Sequence, residues 1–294
     1  MKTGRIVVTG ATGTVGSAVL GALSAQNDSA GEVLGTARSE AAADRLRAQG
    51  VTPVAFDYER PETIRRALED ADALFLATGY SVDMLVHAKR ALDAARAAGV
   101  RHIVHLGALA DPETPHAHFA WHQLTERAIA AMGFTWTNLH PNFFVDTVWA
   151  GLMRRPDRLV HFVGDRRVSW ITAEDIGAVG AAALTDPDSW AGQDLPLAGE
   201  ALSLAGLAEL LTPILGVEVR YAPRPAAELL PILLKQGMEP AYAAGLASGM
   251  AEIETGGMPE AGATFDTVER ILGRPAIGWA DFARSHKNEV ARPE

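Results

Sequence analysis

The feature that most constrains this chain is a glycine-rich turn between a buried strand and a helix. Residues 5–9 are mostly apolar and β-branched, which is typical of a strand covered on both faces, and apolar residues recur at helical spacing from Val15 onward. Gly10, Gly13 and Gly16 lie between, spaced G-x-x-G-x-x-G. Because glycines lack Cβ atoms, a phosphate can approach the backbone here, and the N-terminus of the following helix favours negative charge. The pattern predicts a dinucleotide site; the alternative is an ordinary tight turn.

The composition is that of a compact soluble protein. Of 294 residues, 48% are hydrophobic and 21% charged, and no run approaches the roughly 18 uninterrupted apolar residues of a membrane span. The first strand follows residues 1–4 directly and leaves no room for a signal peptide, so we expect a cytoplasmic protein without a membrane partner. The absence of cysteine excludes disulfides and thiolate sites. A formal net charge of -10 without clustered Lys and Arg argues against nucleic-acid binding.

Strands alternate with helices through the first half of the chain. This order predicts right-handed parallel βαβ units and therefore an α/β fold, a Rossmann-type doubly wound parallel sheet. We expect a nucleotide-binding domain over residues 1–150, and over residues 151–294 a smaller α/β lobe that covers the substrate and partly returns to the sheet. Five further strands are predicted at residues 32–38, 54–57, 73–79, 101–107 and 135–140, and a late strand at residues 217–221. One helix is expected to begin with Pro61 in its first turn, and another to stop at Gly99.

The end of the second predicted strand indicates which dinucleotide binds. An Asp or Glu there would bind the ribose 2′-hydroxyl of NAD, whereas an Arg suits the 2′-phosphate of NADP. Arg38 and Ser39 occupy the position, and the first carboxylate comes only at Glu40. Since the guanidinium presents a planar fork of donors to phosphate oxygens, NADP(H) is favoured. The alternative is a solvated Arg38 before a helix that Ser39 caps.

Ligands of doubly wound sheets bind at the carboxyl ends of the strands. Asp57 at such an end can reach an adenine edge or cap a helix, and Phe143 can border the nicotinamide or pack against other aromatic rings. The expected cofactor-binding residues are Gly10, Thr12, Gly13, Thr14, Val15, Arg38, Ser39, Asp57, Ala77, Thr78, Gly79, Gly107, His122, Pro141, Asn142 and Phe143.

Six segments together carry a resemblance to a known family: residues 9–16, 37–38, 95–104, 133–141, 170–177 and 273–275. They resemble the atypical short-chain dehydrogenase/reductases of the NmrA-like group, which includes quinone, azo and triphenylmethane-dye reductases. The resemblance implies an NADP(H)-binding Rossmann domain with a small C-terminal lobe, in a protein that is a reductase or a catalytically silent redox sensor.

Two departures from the family pattern concern its chemistry. Relatives usually keep a Lys four residues before a Glu, and here His122 precedes Glu126 at that spacing. Gly107 stands where many relatives have Ser, so a hydroxyl that could polarise a carbonyl is missing. The resemblance therefore does not support classical alcohol or ketone chemistry.

Two residues are candidate catalytic groups. His122 can bind the cofactor's ribose or carboxamide, or protonate a substrate after hydride transfer; the alternative is a hydrogen-bonded helix histidine. Tyr80, beside Thr78 and Gly79, can donate a proton or line the pocket by stacking on a planar substrate. His118, His122 and Glu126 share a broad helix face at zinc-compatible spacing, but nothing fixes a fourth ligand, so no metal is predicted.

Together these observations predict an NADPH-dependent reductase that transfers hydride to a flat electrophile such as a quinone, a dye or a conjugated carbonyl. The alternative from another class is a non-catalytic NADP(H) sensor of the NmrA type. An isomerase or dehydratase on a retained cofactor is less well supported because the Tyr/Lys machinery is missing. The expected partner is a small planar or aromatic molecule, and the protein is expected to be a monomer or homodimer.

Overall fold

The computed structural model describes residues 4–26 and 31–290, and these form two compact units. Each unit is assembled from separate stretches of the chain, whereas the expected division is a single one near residue 150. The first unit contains the chain up to Ala108, then Trp121–His140 and Ala173–Leu195. The second contains Leu109–Ala120, Pro141–Thr172 and the chain from Pro196 onward.

A seven-stranded sheet forms the centre of the first unit. Its strand order is β10-β6-β5-β4-β1-β2-β3, and the pairs from β3 through to β6 are all parallel. This confirms the expected Rossmann-type α/β fold. The strands are β1 (Arg5–Val8), β2 (Glu32–Ala37), β3 (Thr52–Ala55), β4 (Ala73–Leu76), β5 (His102–Leu106), β6 (Thr135–Pro141) and β10 (Gln193–Leu197).

Helices separate these strands, and local signals set several of their ends. Ser39 caps a helix by accepting a hydrogen bond from the amide of Ala42, Pro61 occupies a first turn, and Gly99 ends a helix with φ 80°. The sequence predicts all three signals. The helices are α1 (Thr14–Ala25), α2 (Glu40–Ala48), α3 (Pro61–Ala67), α4 (Met84–Ala98), α5 (Ala117–Ala131), α7 (Ala173–Thr185) and α8 (Pro187–Trp190).

Helices α1 and α7 approach each other closely in the first unit. A Cβ atom added to Gly177 would lie 2.5 Å from the carbonyl carbon of Ala18 and 2.7 Å from its Cβ atom. No side chain fits there, so the glycine permits direct backbone contact between the two helices. The helix that follows the glycine turn is thus held in place by a segment far along the chain.

The second unit has two small sheets, ordered β11-β9-β7 and β12-β8, beside its own helices. Its hydrophobic core includes Trp149, Trp170 and Trp279. The strands are β7 (Phe143–Phe144), β8 (Arg158–His161), β9 (Arg167–Ile171), β11 (Glu200–Ser203) and β12 (Arg220–Pro223). The helices are α6 (Val145–Leu152), α9 (Leu204–Leu215), α10 (Leu229–Lys235), α11 (Pro240–Thr255), α12 (Thr267–Leu272) and α13 (Trp279–His286).

Several strands differ from their expected bounds; β4, for example, ends at Leu76 rather than at residue 79. In two of the differing strands, a side chain takes up a backbone donor at the end concerned. β3 ends at Ala55 rather than Asp57, since the amide of Asp57 donates to Thr63 Oγ1 at 2.9 Å. A strand expected at residues 217–221 begins only at Arg220, since the amide of Val219 donates to Thr212 Oγ1 at 3.0 Å. Within the described residues, no helix combines the length and apolarity that a membrane span requires.

Candidate active site

The glycine turn joins β1 to α1 in a conformation that depends on two of its glycines. Gly10 has φ 61°, in the region that favours glycine, and its carbonyl accepts a hydrogen bond from the amide of Gly13 at 2.8 Å. A Cβ atom on Gly16 would overlap the carbonyl oxygen of Gly10 and lie 2.6 Å from its carbonyl carbon. Gly13 is the N-cap of α1 and gives no side-chain cap, while Thr12 and Thr14 are exposed. The helix N-terminus can therefore receive an anion.

The side chain of Thr9 links the end of β1 to the end of β4 by hydrogen bonds, a role that sequence reasoning missed. Its Oγ1 donates to the carbonyls of Phe75 at 2.9 Å and Ala77 at 3.1 Å, and accepts from the amide of Ala77 at 2.7 Å. The sequence signal was a hydroxyl residue directly before the glycine turn. Just beyond, Thr78 Oγ1 is buried and has no hydrogen-bond partner among the described residues. A ligand at this edge of the sheet would meet an unsatisfied polar atom.

Arg38 follows β2 directly, and its side chain is exposed. In the part of the chain that the structure describes, its guanidinium forms no ion pair. The neighbouring Asp57 is engaged locally: it accepts hydrogen bonds from the amide of Glu59 at 3.0 Å and from Arg60 Nε at 3.1 Å. The Glu59 amide, followed by Arg60 and the charge of Arg38, lowers the pKa of Asp57 despite its partial burial. Asp57 thus has a structural role, and its contact with adenine stays a prediction.

His122 on α5 pairs with His105 on β5. His105 Nε2 lies 3.2 Å from His122 Nδ1, and the two residues are 0% and 7% exposed. Burial, and secondarily the charge of His140, lower the pKa of His105 to about 3, against the effect of a backbone hydrogen bond with Leu76. His105 is therefore neutral at physiological pH. The catalytic and cofactor-binding roles of His122 stay predictions, while the hydrogen bond expected of a helix histidine is present.

One turn along α5, Glu126 forms a second pair with His140 at the end of β6. The distance from Glu126 Oε1 to His140 Nε2 is 2.9 Å, and both side chains are largely buried. A Cβ atom on Gly107 would lie 2.6 Å from Glu126 Oε1 and 3.0 Å from His140 Cδ2. The missing side chain at position 107 therefore leaves space for this ion pair.

The three residues at zinc-compatible spacing on α5, His118, His122 and Glu126, each contact a different partner. His122 bonds to His105, Glu126 to His140, and His118 Nδ1 lies 2.8 Å from the hydroxyl of Tyr242. A different trio, Glu126, His140 and Asp194, has donor atoms within 4.8 Å of one another. In that trio Glu126 and His140 already bond directly, and Asp194 Oδ1 accepts a hydrogen bond from the side-chain Nδ2 of Asn138 at 2.8 Å. These contacts account for the cluster without an ion.

The Glu126–His140 pair makes stability depend on pH. Burial lowers the pKa of His140, but the hydrogen bond and charge of Glu126, with the charge of Asp194, outweigh it and raise the pKa above its usual value. Because the pKa of His140 is higher in the folded protein than in the unfolded chain, its protonation stabilises the fold. This contribution to the free energy of unfolding is fully present below the unfolded-state pKa of about 6.5, and it disappears as the pH rises through the folded-state pKa.

We expect Glu126→Gln to reverse this pKa shift, because glutamine keeps an acceptor but removes the charge. Relative to wild type, the variant should lose about 1 kcal/mol more of its unfolding free energy at about pH 6 than at about pH 9. Urea unfolding at the two pH values measures the difference. Glu209→Gln, at an exposed position on α9, is the control and should show no such difference. An equal loss at both pH values would contradict the assignment.

The remaining candidates lie at the surface or in the second unit. Tyr80 is 69% exposed, which suits a pocket lining better than a buried acid. Pro141, Asn142 and Phe143 belong to the second unit, whereas Ala77 and Gly79 belong to the first. Asn142 Nδ2 donates to Ser169 Oγ at 2.8 Å, and the ring of Phe143 packs 5.7 Å from that of Trp170. The expected aromatic packing is present, and a nicotinamide contact stays a prediction.

Comparisons with known proteins agree on one family. The model of the NmrA-like family matches residues 2–255. An NAD(P)H azoreductase of Xenophilus azovorans is 32% identical over 96% of this chain and 97% of its own. Quinone oxidoreductase 2 of Escherichia coli is 28% identical over 94% and 96%. The crystal structure of triphenylmethane reductase from Citrobacter sp. with NADP(H) superimposes with a TM-score of 0.81, at 25% identity over 96% of this chain and 99% of that one.

Proposed function

This chain belongs to the NmrA-like family, and we propose that it is an NADPH-dependent reductase that transfers hydride to flat electrophiles such as quinones, dyes or conjugated carbonyls. The observation that carries the proposal is a helix N-terminus that can receive an anion, together with an arginine side chain at the end of the neighbouring strand. The N-terminus of α1 has no side-chain cap, and Arg38, at the end of the neighbouring parallel strand, has no ion-pair partner within the described residues.

The residues present fit NADP(H). The glycine turn leaves room for a pyrophosphate against the backbone of Thr12, Gly13 and Thr14, where the amides and the helix dipole favour it. Arg38, with the hydroxyl of Ser39, offers donors for a 2′-phosphate. The unpartnered Oγ1 of Thr78 offers a hydrogen bond at the carboxyl end of β4, the edge where ligands of such sheets bind. When bound, NADPH supplies the hydride.

His122 is the proposed proton donor. Hydride transfer to a quinone leaves an oxyanion on the acceptor, and a protonated His122 would give its Nε2 proton to that oxygen, after which solvent restores the proton. The overall change consumes one NADPH, one proton and the acceptor, and yields NADP⁺ and the reduced acceptor. The protein's main contribution is to hold donor and acceptor together.

The proposed class of acceptor follows from which side chains are available to polarise or protonate it. The family's Lys is replaced by His122, and no hydroxyl side chain exists at Gly107 to polarise a carbonyl. A delocalised acceptor stabilises its own developing charge and can take a proton from water, so it needs less of that machinery. The exposed ring of Tyr80 provides a flat apolar surface on which such an acceptor can stack. The relatives named for azo and quinone reduction support this acceptor class.

The first test is a fluorescence titration with NADPH and NADH, followed by a panel of quinones, azo and triphenylmethane dyes, and enones. We expect tight NADPH binding and loss of reduced-cofactor absorbance with at least one acceptor class. Tight binding with no oxidation by any acceptor would contradict the reductase and favour the sensor. A preference for NADH would contradict the role given to Arg38.

Arg38→Gln should weaken NADPH binding by about 10- to 100-fold and leave NADH binding unchanged, because only NADPH carries the 2′-phosphate. Equilibrium titration with each cofactor measures the two effects. Arg47→Gln on the neighbouring helix α2 is the matched control, since Arg47 pairs with Glu40 at 2.7 Å and Asp44 at 2.6 Å. Equal weakening of NADPH and NADH would show that Arg38 acts on the fold rather than on the phosphate.

A further inference from the structure

We propose that His105 is a positioning residue for His122: its Nε2 accepts a hydrogen bond from Nδ1 of His122, which fixes that ring and leaves Nε2 of His122 as the proton-exchanging atom. The inference rests on the proposed function, because it supports the group assigned there to the proton. Its structural basis is the 3.2 Å contact between Nε2 of His105 and Nδ1 of His122, within a pair that is almost fully buried.

The two rings are held from different elements, so their contact is set by the fold rather than by a flexible segment. His105 lies in the middle of the sheet, on β5 between β4 and β6, and His122 lies on α5. The ring centroids are 5.3 Å apart with an interplanar angle of 46°. This tilted arrangement is not a stack, and it directs one ring nitrogen of each residue toward the other.

The direction of the hydrogen bond follows from the surroundings of His105. Burial keeps its ring neutral, so it carries one proton, on either Nδ1 or Nε2. Leu76, its register partner on β4, is the backbone group that interacts with the ring, and a carbonyl can only accept. Because Nε2 is the nitrogen directed at His122, we place the proton of His105 on Nδ1, which forms no hydrogen bond of its own within the described residues. Nε2 then has a free lone pair for the Nδ1–H of His122.

This direction is the one that proton transfer at His122 requires. A protonated imidazole has a proton on both nitrogens, so its Nδ1–H needs an acceptor, and the neutral His105 supplies one. Among charged groups, His140 from β6 is the one whose charge acts on His105. Glu126 binds His140, whereas the atom 3.2 Å from His122 Nδ1 is Nε2 of His105.

Nitrogen NMR of the histidine side chains tests the proposal without any turnover. In the wild-type protein above the pH at which His122 titrates, we expect its neutral form to carry the proton on Nδ1. In His105→Leu this preference should disappear, and in His105→Gln, whose side-chain carbonyl can accept from Nδ1, it should be retained. A wild-type His122 with its proton on Nε2, or a tautomer unchanged in His105→Leu, would overturn the proposal. The wild-type spectrum alone tests the predicted tautomer of His122, even if the His105→Leu variant fails to fold.

Kinetics separate positioning from general stability. His105→Leu should lower kcat by about 10- to 100-fold with little change in the KM for NADPH, and His105→Gln should recover most of the loss. His102→Gln is the matched control, a buried histidine on the opposite face of the same strand, and should leave kcat unchanged. If no variant, including the wild type, oxidises NADPH, the proposed function fails, and the NMR result still decides the role of His105.

Discussion

Replacing Gly177 by alanine is expected to lower the free energy of unfolding by about 3 kcal/mol, one of the two largest effects expected in this protein. The added Cβ atom would lie 2.5 Å from the backbone of Ala18 and 2.7 Å from its side chain. Neither neighbour can rotate away, so α1 and α7 must separate. Since α1 begins at the glycine turn, NADPH binding should weaken with the fold.

Gly21→Ala is the control for this experiment, because Gly21 lies on α1, the helix that Gly177 contacts, but a Cβ atom there would meet nothing within 4 Å. That change should raise stability by about 0.5–1 kcal/mol through helix propensity. Chemical denaturation of the two variants, with cofactor titration of each, measures the contrast. A Gly177→Ala protein as stable as wild type would show that the helices do not need their close contact.

Replacing His122 by alanine is expected to lower kcat by about 100-fold, far more than it changes NADPH affinity, because the variant loses the proposed proton donor. Steady-state kinetics with a quinone acceptor, beside direct cofactor titration, separate the two effects. His122→Gln keeps a polar group opposite His105 and should fold well while remaining slow.

Leu124→Ala provides the control on the same helix, since Leu124 is exposed and its apolar side chain takes no part in either hydrogen-bonded pair. It should leave both kcat and cofactor affinity close to wild type. Unchanged turnover in His122→Ala would remove His122 from the mechanism and leave the proton to solvent, while the hydride acceptor class would be unaffected.

Local signals were enough to predict the sheet and most helix ends. The glycine turn, the cap at Ser39, the proline at Pro61 and the helix stop at Gly99 each depend on a few neighbouring residues, and the structure has all of them. The strand ends at Asp57 and Val219 differed because a distant hydroxyl captures a backbone amide, which periodicity does not reveal.

The side-chain pairs of the site could not be predicted in the same way. The spacing of His122 and Glu126 showed that they share one face of α5, but not that β5 presents His105 and β6 presents His140 to that face. Those partners depend on the register between strands and on where the helix packs. Gly107 was interpreted as a missing hydroxyl, whereas the space that its side chain would fill holds the carboxylate of Glu126.

The segmented first unit has a consequence for how the protein is made. The glycine turn leaves the ribosome well before α7, which packs against the helix that follows the turn and ends only at Thr185. The last segment of the first unit ends at Leu195. The nascent nucleotide-binding unit must therefore remain incomplete while Pro141–Thr172 of the second unit is being synthesised. A gene cut between residues 150 and 151 would therefore encode a first half that lacks α7.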